Sequence, residues 1–313
     1  MGEIHDGGGG RAGWPWCSRG GAGGQDGRGP IGGLPRRGEI HDGEGRVYGV
    51  DFSGAQDAGG RIWIAGGSVE GDSLRIDECR PAASLPGSGR DRDRALAALR
   101  RLIAEGEACA FGLDFPFGLP QALLRHGNWE EFALSFGDDY ASAGEFRRLC
   151  REAAGGRELK RLTDRESQTP FSPYNLRLYR QTYYGIRDVI APLVRERLVC
   201  VPPMQNAVPG RSWVVEICPA STLKLRWPDL YVSYKGGADR HRLARAQIVQ
   251  TLESAGALSI PLQGVRSDIL ADRGGDALDS VIAALATCRA LQNPLPAGVD
   301  GRDAYALEGY VYV

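Results

Sequence analysis

Arg46-Val47-Tyr48-Gly49-Val50-Asp51-Phe52-Ser53-Gly54 is an apolar run that ends in a carboxylate followed by small residues. Both alternating sets, Val47/Gly49 and Tyr48/Val50/Phe52, are apolar or small, so the run reads as a central strand covered on both faces. An unpaired carboxylate in that setting is costly or takes up a proton, so Asp51 needs a cation, a metal, a hydrogen-bond cluster or a wet cleft. The same device returns in Ala110-Phe111-Gly112-Leu113-Asp114-Phe115, which carries the same Gly-aliphatic-Asp-Phe ending. If the two strands are parallel neighbours, about 4.8 Å apart, their aspartates can reach one ion.

The segments around this pair supply the means to make them neighbours. Residues 61–65 follow turn chemistry at Asp57-Ala58-Gly59-Gly60 and read as the second strand of a hairpin. Residues 73–79 alternate apolar and polar and read as a third strand at an edge of the sheet. Asp91 opens a helix over residues 91–103, with Ala95, Leu96, Ala98, Leu99, Leu102 and Ile103 on one stripe. A right-handed crossover through that helix brings residues 108–115 in beside the first strand and parallel to it.

Upstream, residues 1–45 hold 17 of the 45 glycines of the 313-residue chain, and Gly2-Glu3-Ile4-His5-Asp6-Gly7 recurs as Gly38-Glu39-Ile40-His41-Asp42-Gly43. Such a segment is expected to be disordered, because it buries too little surface to offset its ordering entropy; a start codon placed too early is the alternative. The expected folded domain therefore spans residues 46–313. The formal net charge of −1 provides no global pull toward nucleic acid or a membrane surface. No apolar stretch is long enough to span a bilayer, so the expectation is a cytoplasmic protein without a membrane partner. The seven cysteines show no CxxC and no Cys/His metal spacing, and they read as reduced thiols. Composition fixes no oligomeric state.

From about 121 to 211 the pattern changes to helices and loops. Residues 141–199 carry 12 Lys/Arg against 7 Asp/Glu, interleaved with Tyr174, Tyr179, Tyr183 and Tyr184. Arginine with tyrosine suits phosphates and unstacked bases, and Arg177, Arg180 and Arg187 are the candidates to contact them. A solvated helical layer with a partly buried tyrosine stripe accounts for the same counts. Beyond it, Trp213-Val214-Val215-Glu216-Ile217-Cys218-Pro219 is another buried strand with a carboxylate, and Tyr234-Lys235-Gly236-Gly237 leads into a helix over residues 239–255 with a basic first half. A last helix opens at Gly275-Asp276-Ala277-Leu278-Asp279, and residues 308–313 alternate like a short strand.

Asp276 and Asp279 are three apart and project from one helix face. Aspartate in a first helical turn also caps amides and offsets the dipole, so one of the two needs no other role. Taken with Asp51 and Asp114, the pair makes an all-oxygen cluster without histidine, which suits one or two hard divalent cations, Mg²⁺ or Mn²⁺. Two such ions can activate water and stabilise the leaving oxygen in phosphodiester cleavage. Only His126 and His241 lie in the folded part, and neither sits in a nucleophile motif.

In this order the parts resemble the ribonuclease H-like fold: an α/β protein whose mixed sheet joins a three-strand antiparallel meander to parallel strands, flanked by helices and here carrying a helical insertion at about 121–211. Asp276-Ala-Leu-Asp279 and the apolar run after it look like the last helix of RuvC-type Holliday junction resolvases. More closely, Val50-Asp51-Phe52-Ser53-Gly54, Gly112-Leu113-Asp114-Phe115-Pro116, Val215-Glu216-Ile217-Cys218-Pro219, Tyr234-Lys235-Gly236, Asp276-Ala-Leu-Asp279 and Glu308-Gly309-Tyr310 resemble domain-of-unknown-function family 429, predicted nucleases of this fold. The resemblance implies metal ligation by Asp51, Asp114, Asp276 and Asp279, with Glu216 and Lys235 nearby in the catalytic set and DNA or RNA as partner. Two features depart from these patterns: the second acid is Asp114 where the resolvases use a longer glutamate, and the insertion at about 121–211 has no counterpart in a minimal ribonuclease H. The expected function is a divalent-metal-dependent nuclease. A nucleic-acid-binding or structural protein without turnover is the alternative. An ATP-dependent phosphotransferase, suggested by Asp51-Phe52-Ser53-Gly54, would require a second duplicated domain.

Overall fold

A computed structural model describes residues 46–292 and 302–313. The expectation for residues 1–45 lies outside the described residues. The first strand, β1 (Arg46–Asp51), pairs antiparallel with β2 (Trp63–Glu70), and β2 pairs antiparallel with β3 (Ser73–Pro81). Helix α1 (Arg92–Glu105), capped by Asp91 accepting from the Arg94 amide at 3.1 Å, crosses over to β4 (Ala110–Leu113), which lies parallel to β1. This is the meander and crossover that the apolar patterns predict.

The next segment contributes α2 (Trp129–Asp139), α3 (Ala143–Ala153), α4 (Leu162–Glu166) and α5 (Tyr179–Gly185). A π-helical turn over Ile186–Ile190 joins α5 to α6 (Ala191–Arg195). The segment is not wholly helical, because it ends in the two-residue strand β5 (Val199–Cys200). After β6 (Ser212–Ile217) come α7 (Pro219–Arg226), α8 (Asp239–Ser254), β7 (Leu258–Ser259), α9 (Gln263–Ala271), α10 (Asp276–Gln292), α11 (Arg302–Glu308) and β8 (Val311–Tyr312). The closing strand is shorter than the sequence suggests, since α11 takes the chain as far as Glu308.

The sheet order is β5-β6-β4-β1-β2-β3-β7, and β8 also pairs with β6. Strands β5 and β8 meet opposite ends of β6, at Ser212–Trp213 and Glu216–Ile217. The third strand is therefore not the edge that its alternation predicts: β7 pairs parallel with Leu74 and Arg75. A two-residue strand returning from α8 is too short to show a period, so the sequence carries no sign of it.

One face of the sheet, carrying Tyr48, Val50, Phe52, Phe111 and Leu113, packs against α1 and the helices of residues 129–195. The other face, carrying Val47, Ala65, Leu74 and Ile76, packs against α8, α9 and α10. Residues 277–288 of α10 are all buried, apolar but for Asp279, Ser280 and Thr287. Its approach is unusually close. A Cβ at Gly49 would collide with the backbone of Ser280, Ala283 and Ala284, and a Cβ at Gly112 would collide with Thr287. Gly49 and Gly112 are register partners in β1 and β4, so both strands present bare backbone to one helix. No helix among the described residues is long and apolar enough to cross a membrane.

Candidate functional site

The last pair of the β1–β4 ladder is Val50 with Leu113, and the Asp114 amide then donates to the Val50 carbonyl at 3.0 Å. Asp51 and Asp114 thus stand side by side where the strands end. Each follows its glycine by two residues, so both lie on the face that meets α10. The shared Gly-x-Asp spacing has a physical reason: the glycine lets the helix come close, and the aspartate then lies beside the start of that helix.

At that start, the capping and ligating readings of the acids separate. The Ala277 amide donates to Asp272 Oδ2 at 3.0 Å, and the Gly274 amide donates to Asp272 Oδ1 at 3.1 Å. Asp272 is therefore the acid that satisfies the helix start, which leaves Asp276 and Asp279 free of that work. Asp279 is buried, and Asp276 is partly exposed at the mouth of the edge.

A third element closes the site from above. The Tyr234 hydroxyl donates to Asp279 Oδ1, and Lys235 Nζ pairs with Asp279 Oδ2 while standing 4.0 Å from Asp276. Tyr234 is buried and Lys235 is exposed. The loop that carries them is held by Arg245, whose guanidinium donates to the carbonyls of Tyr234 at 2.7 Å and Gly236 at 3.3 Å, and to that of Leu270. Gly236, at φ +140°, leaves room for His241, and its amide donates to the Arg273 carbonyl. Sequence reasoning placed Arg245 in a basic helical half and missed this role. The signal was present: Arg245, Ile248, Val249 and Leu252 share one stripe of α8, and a buried arginine on an apolar stripe needs partners.

Charge dominates the chemistry of this edge. Burial, followed by the charges of Asp279, Asp114 and Asp276, holds the Asp51 carboxyl well above the usual carboxylate range, with Lys235 opposing. Asp114 is pushed up to about 8, first by burial and then by Asp279. Burial also raises Asp276 and Asp279, against the pull of Lys235. Although burial disfavours its ammonium, Lys235 is raised by Asp279 and Asp51 and stays charged. Among the described residues Lys235 is the ammonium that faces these four carboxylates, with Arg61 acting on Asp276 alone, and protons make up part of the deficit.

Among the described residues no three His, Cys, Asp or Glu side chains stand in a ligating arrangement. Both oxygens of Asp279 are engaged, one by the Tyr234 hydroxyl and one by Lys235. The donor set nevertheless fits a hard divalent cation: it is all oxygen, it carries excess negative charge, and the Lys235 ammonium already stands in as the cation.

Glu216 is not part of this cluster. It pairs in register with Leu113, which places it on the opposite face from Asp114. There it takes Arg161 at 2.5 and 2.8 Å and the Phe117 amide at 2.9 Å. Arg161 also pairs with Asp164 and donates to the Glu308 carbonyl, so the group fastens the helical insertion to β6. Burial raises the Glu216 carboxyl, against the pull of Arg161. The expected arginine trio also divides. Arg187 is engaged with Asp188 at 2.7 Å and with the Tyr183 hydroxyl, whereas Arg177 and Arg180 are exposed. Tyr174 and Tyr183 are fully buried, as the partly buried stripe requires.

Comparison of the chain with protein-family models, with curated proteins and with solved structures finds no match.

Proposed function

We propose that this protein is a divalent-metal-dependent phosphodiester hydrolase acting on nucleic acid, on a sheet of ribonuclease H-like order. The observation that carries the reading is the placement of Asp51, Asp114 and Asp279 on two adjacent parallel strands and one helix, near enough that the Asp279 charge raises both strand carboxyls, with Lys235 paired to Asp279. The same edge is where the resemblance to the family of predicted nucleases puts its acids, and the meander with a parallel strand beside β1 has the order which that fold requires.

Asp51, Asp114 and Asp279 would hold Mg²⁺ or Mn²⁺, with Asp276 at the mouth. Held there, such an ion supplies an activated water and charge stabilisation at the phosphoryl oxygens. The protein residues have complementary tasks. The backbones of Asp51 and Asp114 are held by the pairing of β1 with its neighbours and by the Asp114 amide, which limits the reorganisation that electrostatic stabilisation requires. The Tyr234 hydroxyl fixes the orientation of Asp279. Once Asp279 has a divalent partner, the exposed Lys235 side chain is free to turn to a phosphate oxygen, a charge-assisted interaction about twice as strong as a neutral one.

The test is paired. Mg²⁺ or Mn²⁺ at millimolar concentration is expected to raise the melting temperature, and Asp51→Asn to abolish both that shift and cleavage of single-stranded or branched substrates while the chain stays folded. A wild-type protein that gains no stability from either ion removes the metal reading. If the ion stabilises but no nucleic acid is cut, the protein is a binding module. A phosphotransferase would need a second sheet with its own phosphate hairpin, and the described residues form one sheet.

A further inference from the structure

On the opposite face of the same sheet end, the chain leaving β1 opens a cavity of about 450 Å³, within the range of sites that hold small ligands. Its walls are Ser53 to Ala55 on one side and Leu176, Arg177, Tyr179 and Arg180 on the other. The two walls are locked together. Gln181 donates through its side-chain amide to the Phe52 carbonyl at 2.5 Å, and a Cβ at Gly54 would collide with the Arg180 backbone. Ser53 is two residues from Asp51, so their Cα atoms are no more than about 7 Å apart.

We propose that this cavity binds a backbone phosphate of single-stranded nucleic acid and so seats the strand beside the carboxylate edge. The substrate class rests on the nuclease reading; the cavity as a phosphate site does not. Arg177 and Arg180 supply the charge. Both are exposed, and the hydrogen bond of the Arg180 guanidinium goes to a hydroxyl, that of Tyr179, not to a carboxylate. None of the described residues lining the cavity is an acid. The Arg180 guanidinium stays near the Tyr179 ring, 5.5 Å from its centroid, with Nε on the Tyr179 hydroxyl at 3.0 Å, and Arg147 approaches the same ring at 5.9 Å. The Arg177 guanidinium lies over the Phe171 ring at 5.3 Å, so each cavity arginine is held against an aromatic ring and keeps outer N–H groups for a phosphate, and the exposed Leu176 offers apolar surface to a sugar or base.

The test is fluorescence anisotropy of a labelled dT₂₀ oligonucleotide, titrated in EDTA at several salt concentrations. Wild-type protein is expected to bind with a salt-dependent affinity whose slope falls by about 0.7 for each phosphate that a variant no longer neutralises. The double variant Arg177→Ala/Arg180→Ala should bind at least tenfold more weakly with a shallower slope, while Arg177→Lys/Arg180→Lys retains most of the slope. Asp51→Asn should bind dT₂₀ at least as well as wild type, so loss of the metal site leaves this result standing. Conversely, the double Ala variant should keep the full stability gain from Mn²⁺. Equal dT₂₀ affinity and slope in wild type and double Ala variant would overturn the proposal. So would adenosine monophosphate or inorganic phosphate binding as tightly as dT₂₀, which would make the cavity a site for free small anions.

Discussion

Asp114→Asn is a perturbation whose sign depends on pH. In the folded chain the Asp114 carboxyl is held up to about 8, against an ordinary value of 3.8. Between those limits the folded state keeps a proton that the unfolded state has released, so wild-type stability falls as pH rises from about 4 to about 8 and is level above that. At about 1.4 kcal/mol per pH unit the full difference is on the order of 5 kcal/mol, a ceiling because Asp114 keeps some solvent exposure. Roughly half of that, 2–3 kcal/mol, is expected to be recovered by asparagine, which keeps the shape without the ionisation. That corresponds to a melting temperature higher by about 5–10 °C for a domain of this size. The assay is urea unfolding in EDTA at pH 4.5 and pH 8.5. The variant should match wild type at the lower pH and exceed it at the higher. Addition of Mg²⁺ at pH 8.5 should reverse the order, because the ion stabilises only the chain that retains the acid. A variant less stable than wild type at pH 8.5, or a gap that does not grow with pH, would refute the reasoning.

Lys235→Met should lower apo stability by only about 1 kcal/mol, since the ammonium is exposed and screened, while tightening Mn²⁺ binding in calorimetry because the competing cation is gone. Weaker Mn²⁺ binding would instead make Lys235 a support of the site. Arg161→Met leaves Glu216 and Asp164 buried without their partner and should cost about 3–5 kcal/mol in unfolding experiments, with the fractional response to metal unchanged. A mild loss would mean that the insertion is fastened elsewhere.

The parts of the site that were legible in sequence are those written in one strand or one helix turn. Matched Gly-x-Asp endings placed Asp51 and Asp114 together, and Asp-x-x-Asp placed Asp276 and Asp279 on one helix face. What the sequence did not reveal depends on register and on distant partners. The Glu216 strand reads like the other two, yet its pairing with Leu113 turns the acid away from the cluster, and a shift of one residue would have turned it back. Its partner Arg161 lies in a stretch without clear periodicity, so nothing local joins them. The capping role of Asp272 was likewise hidden, because Asp272, Asp276 and Asp279 are equally plausible caps until the turn at Gly275, φ +80°, is known.

The two bare strand positions, Gly49 and Gly112, have a consequence for how anything enters or leaves. With helix backbone seated on Gly49 and the Thr287 side chain on Gly112, α10 has little slack to slide or swing, so the acid it buries, Asp279, is held in place by the core. Amide exchange along residues 280–287 should accordingly report whole-molecule unfolding rather than a local opening. Among the described residues of the group, Lys235 is exposed and Asp276 partly exposed, so on the nuclease reading an ion would reach Asp279 past the Lys235 ammonium.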